Sequence, residues 1–505
     1  MIRRRIFLLW VLITAFLSSF SQKIVYSEPD KDDTRRMNFE IAGKINGNFL
    51  VYKNVRNRDW IVVLDNEMRE INKVEQTYVP DNDRMINVDF FAYPDFCYMV
   101  YQYQKKNIIY CMASKIDGTG NKVGEVMQLD TTHLGFAADN KVYTVLSSED
   151  KSKLIVFKIN SRNRKVFRIT TVLLNDKLET LRRNRVNLPM EERNEYLGEF
   201  QLDNEGDLVF TKYESSNGDE ISRASFVTKQ AYEDTLSVRH LDLEKINLDE
   251  IHIKVDNHNK RYFLTSFYYK EKRGNVEGFY FYVWDKVERV PIIENSVAFS
   301  EELRKEAKGD ANIKMAFNDY FIRNIIVRKD GGFIIASEAY YTSSRFNSWN
   351  RWNYFNRSYL NTMDYYYYSP YYSTIWGRGW SSNQNVRFHA DNITVFSFDK
   401  TGKPEWNNVI VKEQYDDQSD DLLSYQVMVT GGQLHFLFNQ NERRVNLLND
   451  YSVTPDGQMN RNPTLKNLDK GYEFMPRYAK QVSARQIIIP CITRNYICFA
   501  KVDYN

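Results

Sequence analysis

One short module recurs along this chain and restricts its fold more than any other feature: a polar turn, often with glycine, then about six β-forming residues. It occurs as Gly47-Asn-Phe-Leu-Val-Tyr52, Asp95-Phe-Cys-Tyr-Met-Val-Tyr101, Lys141-Val-Tyr-Thr-Val-Leu146 and Gly206-Asp-Leu-Val-Phe-Thr211. It continues as Lys260-Arg-Tyr-Phe-Leu-Thr265, Gly332-Phe-Ile-Ile-Ala-Ser337, Gly432-Gln-Leu-His-Phe-Leu-Phe438 and Arg485-Gln-Ile-Ile-Ile-Pro490. A strand-like run precedes the module, as in Tyr196-Leu-Gly-Glu-Phe-Gln-Leu202, and an alternating run follows it, as in Ile393-Thr-Val-Phe-Ser-Phe398. After a turn such as Asp399-Lys-Thr-Gly-Lys403 comes a more charged outer strand, here starting near Trp406. Four strands joined by tight turns are what one propeller blade needs. The sequence therefore predicts an all-β propeller of eight four-stranded blades. Seven blades is the alternative if one weak unit is misread, and two packed β domains are the competing architecture.

The ends of the chain support a closed ring. Strand-like runs around Arg477 to Val482, Arg485 to Cys491 and Tyr496 to Val502 make a last unit one strand short. Gln22-Lys-Ile-Val-Tyr-Ser-Glu28 is a strand-like run with nothing local to pair with, and donated to the last unit it completes four strands. Ahead of it lie Met1-Ile-Arg-Arg-Arg5, an apolar run from Ile6 to Leu17 and the small residues up to Ser21. That is the layout of a cleaved secretory signal peptide, residues 1–21, and the run falls short of the ~20 residues a membrane-spanning helix requires. The expected mature chain, 22–505, is one soluble exported domain destined for the periplasm, the outer-membrane surface or the medium.

Three departures break the pattern. Residues Asp176 to Asn194, with Arg182-Arg-Asn-Arg185, read as a charged loop or short helix. Phe299 to Met315 reads as a helix, with Ser300-Glu-Glu-Leu303 resembling a capping box and Lys308-Gly309 a stop. Asp416-Asp-Gln-Ser-Asp-Asp421 reads as a solvated acidic turn, with calcium as its competing use.

The largest departure is an insertion between Tyr340 and Asp391, at the tip of a hairpin formed by the runs starting at Gly332 and Asn392. Sixteen of the forty-one residues from Tyr340 to Trp380 are aromatic, and Asp364 is the lone carboxylate before Asp391. The candidate binding residues are Trp349, Trp352, Tyr354, Tyr365, Tyr366, Tyr367, Tyr368, Tyr371, Tyr372, Trp376 and Trp380, with Arg351 and Arg378. Tyrosine, tryptophan and arginine dominate the energetic centres of protein interfaces, and aromatic faces also stack on sugars and cations. A self-packed loop and contact with a membrane surface are the other readings of the same composition.

Other chemistry is sparse. Lysine and arginine total 69 against 66 acids, a net charge of +3 with both signs interspersed, so no field points to nucleic acid. His133, His240, His252, His258, His389 and His435 are scattered, without a metalloprotease, nucleophile-elbow or phosphate-cradling motif. His435 alternates with Leu434 and Phe436 and reads as packed. No cofactor, metal or catalytic residue is implied, and a carboxylate pair of the glycosidase kind is not identifiable from sequence. Cys491 and Cys498 flank a candidate Arg494-Asn495 hairpin turn, which would set them opposite each other as a candidate disulfide. A turn at Lys105-Lys106 would leave Cys97 and Cys111 out of register.

From Gly331 onward the layout resembles an uncharacterised family of exported β-propeller-like proteins of Bacteroidota. The residues carrying the resemblance are Gly331-Gly-Phe-Ile-Ile-Ala-Ser-Glu338, Tyr365–Tyr368, Asn392-Ile-Thr-Val-Phe-Ser-Phe-Asp-Lys-Thr-Gly-Lys-Pro-Glu-Trp406 and Val427-Met-Val-Thr-Gly-Gly-Gln-Leu-His-Phe-Leu-Phe-Asn439. They cover about the last third of the chain, and this member stretches the tyrosine turn with tryptophan and arginine. The resemblance implies an envelope location and the propeller fold. Together the readings point to a non-enzymatic binding or scaffold protein that presents the insertion to an envelope or surface protein. Cell-surface carbohydrate binding or processing is the alternative.

Overall fold

The computed structural model describes residues 22–30, 37–80, 84–138, 141–191, 194–215, 220–243, 245–272, 274–308, 312–344, 367–368, 386–417, 419–442, 445–462 and 471–504. Antiparallel pairing sorts the described strands into consecutive groups of four. We number these groups as sheets 1 (37–75), 2 (84–133), 3 (144–189), 4 (195–240), 5 (252–298), 6 (320–410), 7 (425–461) and 8 (480–503 with 23–26). Sheets 4 and 5 are linked at one edge by the two-residue strand Asn247–Leu248.

Burial explains the sequence pattern. The middle strands of sheet 5, Arg261–Tyr269 and Gly278–Asp285, are buried along nearly their whole length, whereas the outer strand Val290–Ala298 is mostly exposed. A strand covered on both faces reads as a continuous apolar run. What covers each sheet is the next sheet. Tyr52 and Ile61 of sheet 1 share a core with Met99 and Tyr101 of sheet 2. Ile109 of sheet 2 meets Val156 and Leu174 of sheet 3, and Phe157 of sheet 3 meets Phe200 and Phe210 of sheet 4. Phe226 joins Leu264 across sheets 4 and 5, and Phe281 joins Phe333 and Phe398 across sheets 5 and 6. Val395 faces Phe436 between sheets 6 and 7, and Leu437 faces Ile487 and Ile489 between sheets 7 and 8. Finally, Phe39 and Val51 of sheet 1 pack on Ile488 and Phe499 of sheet 8. The succession of cores returns to its start, which makes the fold a closed β-propeller.

The closing strand is the expected one. Lys23–Tyr26 pairs antiparallel with Asp503 through Ala500, and the amides of Ser27 and Asp30 continue onto the carbonyls of Phe499 and Ile497 (2.9 and 2.7 Å). Asp30 then forms an ion pair with the buried Lys53 of sheet 1.

One turn form recurs, between the third and fourth strands of sheets 1, 2, 3 and 6 and between the first and second of sheet 4. Asp65, Asp117, Asn175, Asp203 and Asp399 each accept, through side-chain Oδ1, the amides two and four residues ahead at 2.8–3.0 Å. The residue three positions on is left-handed: Met68, Gly120, Leu178, Gly206 and Gly402. Met68 and Leu178 hold that conformation without glycine, so this turn is only often glycine-marked.

Three expectations change. Lys141–Leu146 contributes to the first strand of sheet 3 (Thr144–Ser147), and Lys153–Asn160 is its second. Both are apolar, so the sequence hides the phase. Residues 180–189 are neither loop nor helix but the outer strand Thr180–Pro189, with Asn184, Val186 and Leu188 inward and Arg183, Arg185 and Asn187 outward. The helix α1 spans Glu301–Lys308, with the Leu303 amide donating to Ser300 Oγ at 3.2 Å, and a separate 3-10 turn follows at Ile313–Met315.

Arg494 and Asn495 form the two-residue turn, both left-handed, and Cys491 and Cys498 are direct partners across it. In the structure they are two buried thiols rather than a bridge, with Cys498 Sγ donating to the Cys491 carbonyl at 3.3 Å. Cys97 and Cys111 are opposite Ile116 and Gln102, out of register with each other. Among the described residues no helix is long and apolar enough to cross a membrane, and the proposed signal segment lies outside them.

A chain starting at Met37 should test closure. It leaves the Tyr496–Asp503 edge unpaired, and losing its ladder bonds at about 1 kcal/mol each should cost on the order of 3 kcal/mol. The expected result is a lower thermal midpoint by calorimetry and concentration-dependent association by light scattering, since an open edge is a pairing template.

Candidate functional site

The insertion stands on the longest hairpin among the described residues, Phe333–Ser344 paired with Val386–Phe398 from Phe333↔Phe398 out to Ser344↔Val386. The equivalent hairpin in sheet 1 is closed by just Arg56 and Asn57, both left-handed, as a two-residue turn requires. Antiparallel order puts this turn on one face of the ring and the recurrent Asp turns on the other.

Trp349, Arg351, Trp352, Tyr354, Tyr365, Tyr366, Tyr371, Tyr372, Trp376, Arg378 and Trp380 lie outside the described residues. The backbone of Tyr367 and Tyr368 is described, and it pairs antiparallel with Asn160 and Ile159 of sheet 3. The arm therefore leaves sheet 6 and meets a strand end of sheet 3.

At the base of the arm the described side chains form a layered platform. Tyr341 and His389, directly opposite on the hairpin, stack with centroids 4.5 Å apart at 8°. Tyr341 donates to Asp391 Oδ2 at 2.9 Å, and His389 Nε2 lies 3.1 Å from Ser343 Oγ. Burial pushes the His389 imidazole below its ordinary value, which favours the neutral ring in this stack. Next to it, the short strand Tyr415–Asp416 pairs with Phe388 and His389. Arg387 forks onto Asp417 at 2.6 and 3.0 Å, and its guanidinium sits 4.6 Å from the Tyr415 ring, which is 57% exposed. The sequence marks His389 only as one of six scattered histidines and does not single out Arg387 or Tyr415. The available signal was the alternation Arg387-x-His389-x-Asp391, which places all three on one side of a strand.

Beneath the platform the hairpin is tied down by charge. Glu338, in the middle of its first strand and wholly buried, faces Lys412 Nζ at 2.8 Å and Arg323 Nε at 3.4 Å, and accepts from Ser424 Oγ. Lys412, equally buried, also donates to the Ala390 carbonyl (2.5 Å) and to Gln414 Oε1 (3.0 Å). Burial raises the Glu338 carboxyl, but Lys412 and Arg323 outweigh it and hold it below the usual range, while burial lowers the Lys412 ammonium.

The acidic loop belongs to the same construction, which corrects its reading as a solvated turn. Asp417 is held by Arg387, Asp420 accepts from Tyr340 (2.8 Å) and from Arg477 near sheet 8, and Asp421 accepts from Tyr478 at 2.6 Å. Burial pushes the Asp420 carboxyl up, and Arg477 with Tyr340 brings it below its ordinary value.

Elsewhere, Asp203, Glu205 and Asp207 converge closely enough to hold a cation, and the ammonium of Lys286 occupies that position, touching all three. These bonds outweigh burial and keep Lys286 above the usual lysine range; Glu205 is lowered to about 2, chiefly by Lys260 and Lys286. His252 lies between Glu199 (3.7 Å) and Glu250 (3.6 Å). Burial opposes its charge, but Glu250 and Glu199 hold it up at about 10, so it serves as a cation there.

No protein-family model and no curated protein matches the chain. Solved structures similar to it include an uncharacterized protein of Listeria monocytogenes at 9% identity and TM-score 0.40, covering 82% of this chain and 94% of that one. The β-propeller domain of Nup133 from Vanderwaltozyma polyspora is similar at 9% identity and TM-score 0.40, covering 83% and 100%. Prolyl oligopeptidase B from Galerina marginata is similar at 7% identity and TM-score 0.40, and this chain spans about half of it, 56%, while 92% of this chain is covered. No activity follows from likenesses of this kind.

Removing one partner of the buried pair leaves the other uncompensated, so Glu338→Gln or Lys412→Met alone should cost about 3–5 kcal/mol by chemical unfolding. The double variant Glu338→Leu with Lys412→Met should cost less than the sum of the single changes. The sign with pH follows from the shifts. Glu338 and Asp420 hold protons less readily folded than unfolded, so their contribution is complete above the ordinary carboxylate range and is lost as pH falls through their depressed values. Asp391, raised by burial, acts in the opposite sense. Unfolding midpoints from pH 6 to 3 should fall less steeply in Glu338→Gln than in the parent.

Proposed function

We propose that this chain is an exported, non-enzymatic binding protein of the bacterial envelope, a single eight-bladed propeller domain spanning 22–505 that presents the arm rooted at Tyr341 and Val386 to a protein partner. The observation that carries the reading is the root itself: a long hairpin whose first strand is pinned by Glu338, Lys412 and Arg323 and by Tyr340 with Asp420 and Arg477. A base fixed in this way lowers the ordering cost when a partner docks. The aromatic and arginine composition of the arm supplies the residue types that carry interface energy. Tyr341, Arg387, His389 and Tyr415 extend that chemistry onto the ring, where they form the inner rim of the same surface. The propeller works as a support, and the arm does the recognising. The envelope location rests on the basic and apolar start of the chain and on the resemblance to exported Bacteroidota propellers.

Deleting Thr342 to Asn385, which joins Tyr341 to Val386 across a short turn, separates support from recognition. The expected variant is folded, with a thermal midpoint within about 3 °C of the parent, and recovers no partner in a crosslinking pull-down from intact cells. An unfolded variant would mean the arm is part of the core, and undiminished recovery would remove the arm from the interface. A glycan array run on the parent alongside the pull-down distinguishes a sugar ligand for the arm from a protein one.

A further inference from the structure

On the face of the ring away from the arm, sheets 7 and 8 diverge around a cavity of about 460 Å³. A volume of this order suits a small-molecule site. Its floor is built from the Leu434–Glu442 and Val445–Val453 strands, on which His435 and Ser452 are direct cross-strand partners. Asp450, two residues from Ser452 and with no exposed side-chain surface, accepts from His435 Nδ1 (3.1 Å to each oxygen), Asn462 Nδ2 (3.0 Å), the Tyr504 hydroxyl (3.2 Å) and Gln22. A carboxylate so surrounded is saturated. As an acceptor it holds a proton on His435 Nδ1 and fixes the ring, leaving Nε2 for another partner. His435 is more than nine-tenths buried and lines the cavity, and its Nε2 makes no hydrogen bond among the described residues.

Two further observations point to an occupant. Gly431 and Gly432 line the cavity with ordinary backbone angles, and a Cβ on either would meet nothing within 4 Å. Neither the turn nor packing requires glycine there, so what the two residues provide is access to the backbone. At the mouth stands Arg485, exposed and without a carboxylate partner among the described residues. The remaining lining is neutral amide and hydroxyl, including Gln433, Ser452 and Asn460.

We propose that this cavity binds a small carboxylated sugar of the hexuronate class. One unpaired guanidinium matches one carboxylate, since its planar fork accepts both oxygens. Amides and hydroxyls, each able to donate and accept, match the vicinal hydroxyls of a sugar ring, with one hydroxyl hydrogen-bonded to His435 Nε2. The site is separate from the arm and does not depend on the partner-binding reading.

Titration calorimetry on the full mature chain with D-glucuronate and D-galacturonate tests the proposal, with D-glucose, D-galactose and inorganic phosphate as comparators. Saturable uronate binding is expected, stronger than that of either neutral sugar. Arg485→Gln, an exposed change that leaves the fold intact, should weaken it about tenfold or more, the size of a lost charge-assisted bond. Asn460→Ala should weaken uronates and neutral sugars alike. The Thr342–Asn385 deletion should bind uronates as the parent does. Absence of saturable uronate binding, uronate affinity unchanged in Arg485→Gln, or phosphate binding as tightly and in competition would each overturn it.

Discussion

The packing of each sheet against the next is the interaction on which this molecule depends. A single four-stranded sheet here has two apolar faces and no helix layer to cover them, so it cannot stand alone. Phe157 of sheet 3 stacks on Phe200 of sheet 4 at 4.9 Å, and Phe281 of sheet 5 meets Phe398 of sheet 6 edge-on at 4.7 Å. Such contacts exist only when the neighbour is present, which forces the sheets into a continuous succession. The succession ends where Phe39 of sheet 1 meets Phe499 of sheet 8 edge-on at 5.5 Å. The donated N-terminal strand makes that last contact durable by occupying the open edge of sheet 8.

Within that frame, charge is used where shape has to be unique. Burying an ion pair is seldom a large gain over an apolar pair of the same volume. Glu338, Lys412 and Arg323 fix instead which strand meets which, because these buried charges are answered by one another within and beside sheet 6. Asp420 and Arg477 do the same across a longer distance, joining the connection after sheet 6 to the approach to sheet 8. The hairpin that carries the arm is thus held from below by polar contacts with fixed geometry in addition to apolar packing.

The two faces of the ring differ in kind. On one, turns built around an aspartate or asparagine side chain repeat with little variation, and at the Asp203 turn the acids Asp203, Glu205 and Asp207 meet the built-in cation of Lys286. The polar cavity beside His435 opens among these turns. On the other face, the connection between second and third strands is two residues in sheets 1, 2, 7 and 8 and longer in sheets 3, 4 and 5, and in sheet 6 the chain runs out into the aromatic arm and returns. A support with one regular face and one elaborated hairpin suits the presentation of a recognition element, and it leaves the cavity available for an independent ligand.

The repeat, the donated strand and the opposition of Cys491 to Cys498 were legible in the residues, because each depends on local periodicity or on a turn of known length. Thr180–Pro189 was read as part of a charged loop or short helix because Arg182, Arg183 and Arg185 mask an alternation that only burial against the neighbouring strand reveals. The first and second strands of sheet 3 were confused because burial on both faces makes them equally apolar. The site was partly legible: the hairpin and its insertion stand out, whereas the Glu338–Lys412 pair, the use of Asp420 and Asp421 as ties, and the Asp450–His435 contact do not. His435 read as a packed strand residue, and it is packed, yet its polarity is set by a carboxylate fifteen residues on and by Tyr504 and Gln22 from the two ends of the chain. Periodicity along the chain determines which faces are apolar, and so the sequence alone determined the sheet module and its repetition. Which polar groups meet is decided by the closing of the ring, which brings together residues hundreds of positions apart, and only the tertiary structure could decide that.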